Sequence, residues 1–297
     1  MKPYPQSDLD EIVDRVDWAP LRGMHLEVTG GTGFVGSWML RSLRRAIERE
    51  AVEVSKVEVA TRQSLPDVEG FPTFRTDLTQ NDAIGSPIIP THVLHLAVSG
   101  AQARCAAEEA HEGFERLSLP QVKMATDIAE YAHHYGARVV FASSGAAGMA
   151  YGPGSVVASA YGVGKRISEQ ILDLVGAASL RLYAIGGPGV PEGYAFGDLL
   201  AGKPIRDPDV ARGWMYPTDV AVAFWTMLGN KERCVVNVGS TEAHTTGYLS
   251  DLFTGSTLRA PRPVLAYISP THSDFFTVPL AEAVRRSIEW RDAPGAP

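Results

Sequence analysis

Cysteine is nearly absent: Cys105 and Cys234 are the two thiols in 297 residues. Two thiols cannot make a disulfide framework or a cysteine-based zinc site. Each reads as a small buried hydrophobe. Long apolar runs are missing too. No stretch approaches the ~18 apolar residues of a membrane span. The N-terminus, Met1-Lys2-Pro3-Tyr4-Pro5 followed by Asp8, Asp10 and Glu11, lacks the apolar centre of a secretory signal. A cytoplasmic protein without a membrane partner is the expectation. Positive charge is in deficit, 27 Lys and Arg against 34 Asp and Glu, for a net −7. That balance gives no broad electrostatic reason to bind nucleic acid or an anionic surface. Any phosphate this chain holds must be held by local geometry. Metal-binding spacing is lacking as well. His92, His95, His111, His133 and His134 form no set with carboxylates or thiols, and the last two read as favourable charges at a helix end.

Apolar residues make up 45% and charged residues 21%, a globular composition with ample core. Gly 29 and Pro 20 together are about a sixth of the chain, above an average near ~12%. Leu9, Ile12, Val13 and Val16 mark a short amphipathic helix ending at Ala19-Pro20, and the acidic run over residues 8–17 reads as its solvated face. A rhythm of short β-rich runs and helical stretches follows. Strands are expected over residues 24–29, 57–61, 73–75, 92–97, 139–143 and 180–185, with helices over 35–50, 120–135 and 158–175. Gly136 supplies the stop of the second of these helices. Strands alternating with helices of this length predict βαβ units and a doubly wound parallel sheet, a Rossmann-type α/β fold. After residue 185 the rhythm breaks at Gly186-Gly187-Pro188-Gly189. One helix (218–228) and one strand (235–238) return to the sheet. The expected organisation is a helical extension over 1–23 and a dinucleotide-binding domain over 24–185 with 217–240 returning to it. A smaller substrate-binding lobe is expected from 186–216 and 241–297.

Thr29-Gly30-Gly31-Thr32-Gly33-Phe34-Val35-Gly36 joins the first strand to the first long helix. Glycines at 30, 33 and 36 permit a tight turn, close approach of a pyrophosphate and close packing of helix on strand. The helix N-terminus offers free N–H groups and a positive dipole end to the anion. Here the pattern stands between a strand and a helix, as dinucleotide binding requires, so Gly30, Gly33, Phe34, Val35 and Gly36 are expected cofactor contacts. The second strand ends Val59-Ala60-Thr61-Arg62, with no carboxylate at its tip. A carboxylate there would select the 2′-hydroxyl of NAD, whereas an arginine accommodates the 2′-phosphate of NADP. Arg62 therefore favours NADP over NAD.

Tyr161-Gly162-Val163-Gly164-Lys165 opens a helix, and positions i and i+4 share a helical face. Tyr161 and Lys165 can point into one cleft, where an ammonium is expected to depress the phenol's pKa. Tyr161 could then pass a proton to or from a carbinol oxygen while hydride moves at nicotinamide. Phe141-Ala142-Ser143-Ser144 ends the fifth strand and aims a hydroxyl at the same cleft.

These segments, with Thr76-Asp77-Leu78, His95-Leu96-Ala97, residues 181–189 and 212–220, and Asn237-Val238-Gly239-Ser240, resemble extended short-chain dehydrogenase/reductases of the NAD-dependent epimerase/dehydratase family. Its members mostly act on nucleotide-linked sugars. The resemblance spans about residues 21–239. It implies that Asp77 and Leu78 lie at the adenine and Ala97 along the cofactor. It also implies that Ser144, Tyr161 and Lys165 form the catalytic trio, with Lys165 touching the nicotinamide ribose and Ser144 the substrate. Arg212 matches the arginine that grips a sugar-nucleotide diphosphate, a role suited to bidentate guanidinium–phosphate pairing. A homodimer through the 120–135 and 158–175 helices is likewise implied.

Several positions depart from the family pattern. Dehydratases of the family carry an Asp-Glu pair after the catalytic hydroxyl, whereas Gly145 and Ala146 stand here. Neither moves a proton, which argues against 4,6-dehydration. Tyr151-Gly152 comes late, and Ala184 replaces a common asparagine. The leading expectation is an NAD(P)-dependent reductase of a keto group on a nucleotide-linked sugar. The alternative is an epimerase using the same trio with retained cofactor. An NAD(P)-binding regulatory protein is the reading of another class, since fold alone confers no activity. Asp219 is expected at a helix N-terminus, and Trp214, Phe224 and Trp225 in packing.

Overall fold

The computed structural model describes residues 2–80, 86–98, 114–149, 160–240, 242–258 and 275–295. Cys105, His111, Tyr151 and Gly152 lie outside the described residues. Eight strands form the main sheet: β1 (His25–Thr29), β2 (Lys56–Thr61), β3 (Asp67–Val68), β4 (Phe71–Arg75), β5 (His92–His95), β6 (Arg138–Ser144), β7 (Ala178–Leu182) and β10 (Cys234–Val238). Their order is β10-β7-β6-β5-β1-β2-β4-β3, and all pair in parallel except the β3–β4 hairpin. The order reverses between β1 and β5, the switch point outside which open α/β sheets bind ligands. It is a Rossmann-like sheet flanked by helices, as the alternation of strand and helix predicts.

Alternate residues of the strands feed two cores. Leu26, Val28, Val57, Val59, Leu94 and Val140 point to one face. There they meet helices α1 (Gln6–Arg15), α2 (Phe34–Glu48) and, further along the chain, Pro217–Gly229. Val93, Val139 and Phe141 point to the other face, under α3 (Leu119–Tyr135). The helix α5 (Ala160–Asp173) packs beside α3 and against β6, with the short α4 (Gly145–Met149) also packed on it. Gly164 sets that approach: a Cβ there would lie 2.8 Å from the Ser118 Cα. A π-helical turn, Phe114–Ser118, leads into α3, and Gly136 ends α3 at φ 67°.

The strand expected over 180–185 is split. Residues 178–182 are β7, and Ala184–Ile185 form β8 in a second, three-stranded sheet with β9 (Ala211–Met215) and β11 (Ala243–Thr245). The chain crosses from one sheet to the other at Tyr183, which a short β-rich run cannot reveal. Helices α6 (Ala195–Leu200), α8 (Thr246–Thr254) and α9 (Leu280–Asp292) pack round this small sheet, while α7 (Pro217–Gly229) returns to the large one. Phe224 and Trp225 are fully buried and Trp214 nearly so. Cys234 is half-buried at the sheet edge.

The acidic run over 8–17 is a solvated face only in part: Asp14 and Asp17 are exposed, but the others are not free. Asp8 is buried, accepts the Tyr216 hydroxyl at 2.6 Å, and meets Arg286 at 3.0 Å. Asp10 meets Arg45 at 2.7 Å, Glu11 meets Arg286 at 2.6 Å, and Asp14 meets Arg49 at 2.9 Å. These partners stand between 35 and 278 residues away along the chain, and local periodicity carries no sign of them. Asp219 does sit in the first turn of α7, as expected, and is also the buried partner of Arg15 at 2.8 Å.

Candidate active site

β1 delivers its last residue, Thr29, to the glycine loop. The Thr29 hydroxyl pairs with His95 Nδ1 at 2.8 Å and accepts from the Ala97 N–H at 3.3 Å, tying the ends of β1 and β5 together. Gly30 has φ 74°, and a Cβ on it would stand 2.6 Å from the Ala97 nitrogen. At Gly36 a Cβ would stand 2.3 Å from the Gly30 oxygen, so only glycine lets α2 begin this close to the turn. No side chain caps the start of α2 after Gly33, which leaves the first-turn amides of Phe34, Val35 and Gly36 toward an anion. A bare-backbone cradle with an uncapped 15-residue helix behind it fits a pyrophosphate.

Beyond β2, Arg62 is exposed, and with Arg75 it lowers the Asp77 carboxyl. The largest cause of that lowering is the Thr79 hydroxyl, which donates to Asp77 at 2.7 Å, and the Thr79 N–H donates at 3.0 Å. Leu78 is buried beside them. Arg62 and Asp77 thus share one edge of the loop.

Ser144 ends β6, and Tyr161 and Lys165 occupy the first turns of α5. The structure brings the three together. The Ser144 hydroxyl hydrogen-bonds the Tyr161 phenol and accepts the Ala146 N–H at 3.2 Å. Lys165 is 1% exposed, donates to the Ala142 carbonyl at 2.7 Å, and lies 4.5 Å from the Phe141 ring centroid and 5.9 Å from that of Tyr161.

The expected depression of the Tyr161 pKa is overturned. Burial pushes it up to about 12, the Ser144 hydrogen bond opposes this, and the nearby Tyr194 phenol adds to the rise. Burial is invisible in a helical spacing, and here it sets the direction of the shift. Lys165 is itself pushed down to about 7 by burial, with Glu169 opposing. His95, stacked on Phe141 and fully buried, is pushed down to about 3 by burial and then by Lys165, so it stays neutral.

Behind the trio lie residues the motif reading missed. Ser143 turns away from the cleft and donates to Glu169 Oε1 at 2.5 Å. Arg181, on β7, grips Glu169 with Nε and Nη2 at 2.7 Å each. The signal was present, since Glu169 follows Lys165 by four and so shares its helical face. Tyr194, exposed at the start of α6, is another, and only its spatial approach to Tyr161 reveals it. Gly145 has a steric reason: a Cβ there would stand 2.7 Å from the Tyr183 ring. Arg212 is exposed on β9, opposite His244 of β11. Among the described residues no cluster of three or more His, Cys, Asp or Glu could hold a metal, and no helix is long and apolar enough to cross a membrane.

Solved structures with the same fold include the Bordetella bronchiseptica enzyme WbmG in complex with NAD. It is 22% identical, with TM-score 0.69 over 91% of this chain and 94% of that one. The Thermus thermophilus UDP-glucose 4-epimerase in complex with NAD is 24% identical, with TM-score 0.66 over 91% and 100%. MoeE5, in complex with UDP-glucuronic acid and NAD, is 23% identical, with TM-score 0.66 over 90% and 98%. No curated protein matches the chain by sequence. The model of the NAD dependent epimerase/dehydratase family matches residues 26–239, most of the chain, from β1 and the glycine loop through the Ser144–Tyr161–Lys165 cluster to the end of β10. The chain belongs to that family.

Proposed function

We propose that this protein is an NAD(P)-dependent oxidoreductase acting at a carbinol or keto carbon of a nucleoside-diphosphate sugar. The observation that carries the reading is the Ser144–Tyr161 hydrogen bond at the end of β6, with Lys165 buried one helical turn away. A nicotinamide dinucleotide bound at the glycine loop supplies or accepts the hydride. Gly30, Gly33 and Gly36 admit its pyrophosphate, and the amides of Phe34 and Val35 face it. Asp77, Leu78 and Ala97 line its length, and Lys165 reaches the nicotinamide ribose. Tyr161, protonated up to about pH 12, is poised as the acid that donates a proton to a keto oxygen. Ser144 holds that oxygen by a hydrogen bond. Arg212 grips the sugar-nucleotide diphosphate. The space at Gly145 is taken by Tyr183 and Ala146 carries no ionisable group, which supports a reaction without the acid–base pair of dehydration.

Within this class, net reduction of a keto sugar is the leading reading, because Arg62 and the carboxylate-free tip of β2 suit the 2′-phosphate of NADP. Epimerisation is the second, favoured by the UDP-glucose 4-epimerase and the NAD complexes among the similar structures. A homodimer through α3 and α5 belongs to the same proposal and is checked by light scattering. Turnover assays separate the two chemistries. Stoichiometric NADPH consumption with a keto-sugar nucleotide supports reduction. Interconversion of two sugar nucleotides without net NADPH loss supports epimerisation and ends the reductase reading.

A further inference from the structure

We propose that Glu169 is a positioning residue for this site: a buried carboxylate that anchors the Ser143–Ser144 end of β6 and supplies the counter-charge to the Lys165 ammonium. The inference rests on the assignment of Ser144 and Lys165 as working groups.

Glu169 is 2% exposed, so its charge is held by protein groups rather than by water. Three elements meet at it. From β6, Ser143 donates to Oε1 at 2.5 Å. From β7, Arg181 donates to both oxygens at 2.7 Å, a fork matched to a carboxylate. From its own helix, Arg166 approaches Oε2 at 3.4 Å.

Ser143 and Ser144 are consecutive, so one side chain faces each side of β6. Locking Ser143 to Glu169 fixes the peptide from which Ser144 reaches Tyr161. β6 and β7 pair in register at this point, Ser143 opposite Arg181 and Ser144 opposite Leu182. Glu169 therefore clamps both strands where the site begins.

The same carboxylate lies one turn beyond Lys165. Lys165 has a carbonyl partner in Ala142 and two aromatic faces, Phe141 and Tyr161. Of the titratable groups packed round it, His95 from β5 is neutral and Tyr161 is a protonated phenol, while Arg166 and Arg181 are cations already engaged by Glu169. Glu169 is the anion among them, and it raises the Lys165 pKa against the effect of burial. Replacing Glu169 by a neutral group leaves two guanidiniums uncompensated behind the ammonium. Both consequences push Lys165 toward the neutral amine.

The test compares wild type with Glu169→Gln, Glu169→Asp and Ser143→Ala. Lys165 titration is followed by NMR of 13C-labelled lysine side chains in the protein without cofactor, its signal assigned by loss in Lys165→Met. In Glu169→Gln the titration is expected to move down by about one pH unit. The high-pH limb of kcat should move with it, while KM for the nucleotide sugar stays within about twofold. Glu169→Asp should recover most of the shift. Should Glu169→Gln fail to fold, Ser143→Ala carries the test, since it removes one hydroxyl and keeps the ion pair. It should lower kcat by about tenfold with KM unchanged. A folded Glu169→Gln with the wild-type Lys165 titration and wild-type pH profile overturns the proposal, as does a Ser143→Ala variant with wild-type kcat. A wild type that turns over no nucleotide sugar ends the functional reading instead, and the lysine titration still decides the counter-charge.

Discussion

Among the described residues two buried ionic clusters stand out, one behind the proposed catalytic edge and one under the N-terminal segment. In the first, Glu169 is met by Arg181, Arg166 and Ser143, all within 38 residues along the chain and next to Ser144 and Lys165. In the second, Asp8 and Asp219 are met by Arg286, Arg15 and the Tyr216 hydroxyl, which join both ends of the chain to the start of α7. Thr277 and Val278 add N–H donors to Asp219, each at 3.3 Å. Tyr4 extends this second system toward the start of α2, beside the glycine loop. It stacks on Trp38 at 4.2 Å and hydrogen-bonds Ser37 at 2.6 Å, while Trp38 donates to the Pro188 carbonyl at 3.1 Å. Similar groups thus do different work: the first cluster adjoins the proposed proton-transfer site, and the second straps α2, α7 and α9 together. Damage to the catalytic edge should therefore appear in turnover, and damage to the strap in stability.

The largest separation is expected from Tyr161→Phe. Removing the phenolic proton should cut kcat by about 10²–10⁴-fold while the melting temperature stays near that of wild type. An equal loss in both would mean that Tyr161 serves folding rather than chemistry. Arg15→Met tests the opposite pole. It leaves Asp219 buried without its cation, a change that costs about 3 kcal/mol. Urea denaturation should show that loss while kcat per folded molecule is retained.

Glu27 sharpens the comparison because it is a buried carboxylate in neither cluster. It has no cation. Tyr131 donates to it at 2.8 Å, and Glu58 lies opposite it on β2. Burial, with Glu58 adding, pushes it up to about 7. Its folded pKa stands above the unfolded value of 4.5, so the folded state binds the extra proton between those values. Stability should fall as pH rises through that window and level off above it. Glu27→Gln should remove the slope and gain up to about 3 kcal/mol at pH 8; thermal melts from pH 4 to 8 check this. Arg62→Ala is the smallest change. It should weaken NADP binding about tenfold, or ~1.4 kcal/mol, and leave NAD binding unchanged. Calorimetry with both cofactors decides it.

What the sequence displays and what it hides follow the same division. The parallel sheet, the glycine loop and the Tyr161–Lys165 pair are written in short-range patterns: strand alternation, a turn needing φ above zero, and a four-residue helical spacing. Gly30 and Gly36 can be read that way because the constraint is a local backbone one. The strap cannot. Asp8 and Arg286 are far apart along the chain, and an acidic stretch on an amphipathic helix looks solvated until its partners are seen. Tyr161 shows the same limit inside the site. Spacing correctly sets it near Lys165, but the direction of its pKa depends on burial, which comes from the whole fold. The break between β7 and β8 is hidden for a related reason, since a short β-rich run is compatible with either sheet.

The central claim is that Ser144, Tyr161 and Lys165 carry out proton-coupled hydride transfer on a nucleotide sugar. The most direct measurement follows the near-ultraviolet absorbance of reduced nicotinamide by stopped flow. Protein loaded with NAD(P)H or NAD(P)⁺ is mixed with nucleoside-diphosphate sugars and their keto forms. The account predicts a rapid absorbance change in wild type with at least one of them, lost in Tyr161→Phe although cofactor still binds. No change with any sugar nucleotide, or the same change in Tyr161→Phe, would contradict it.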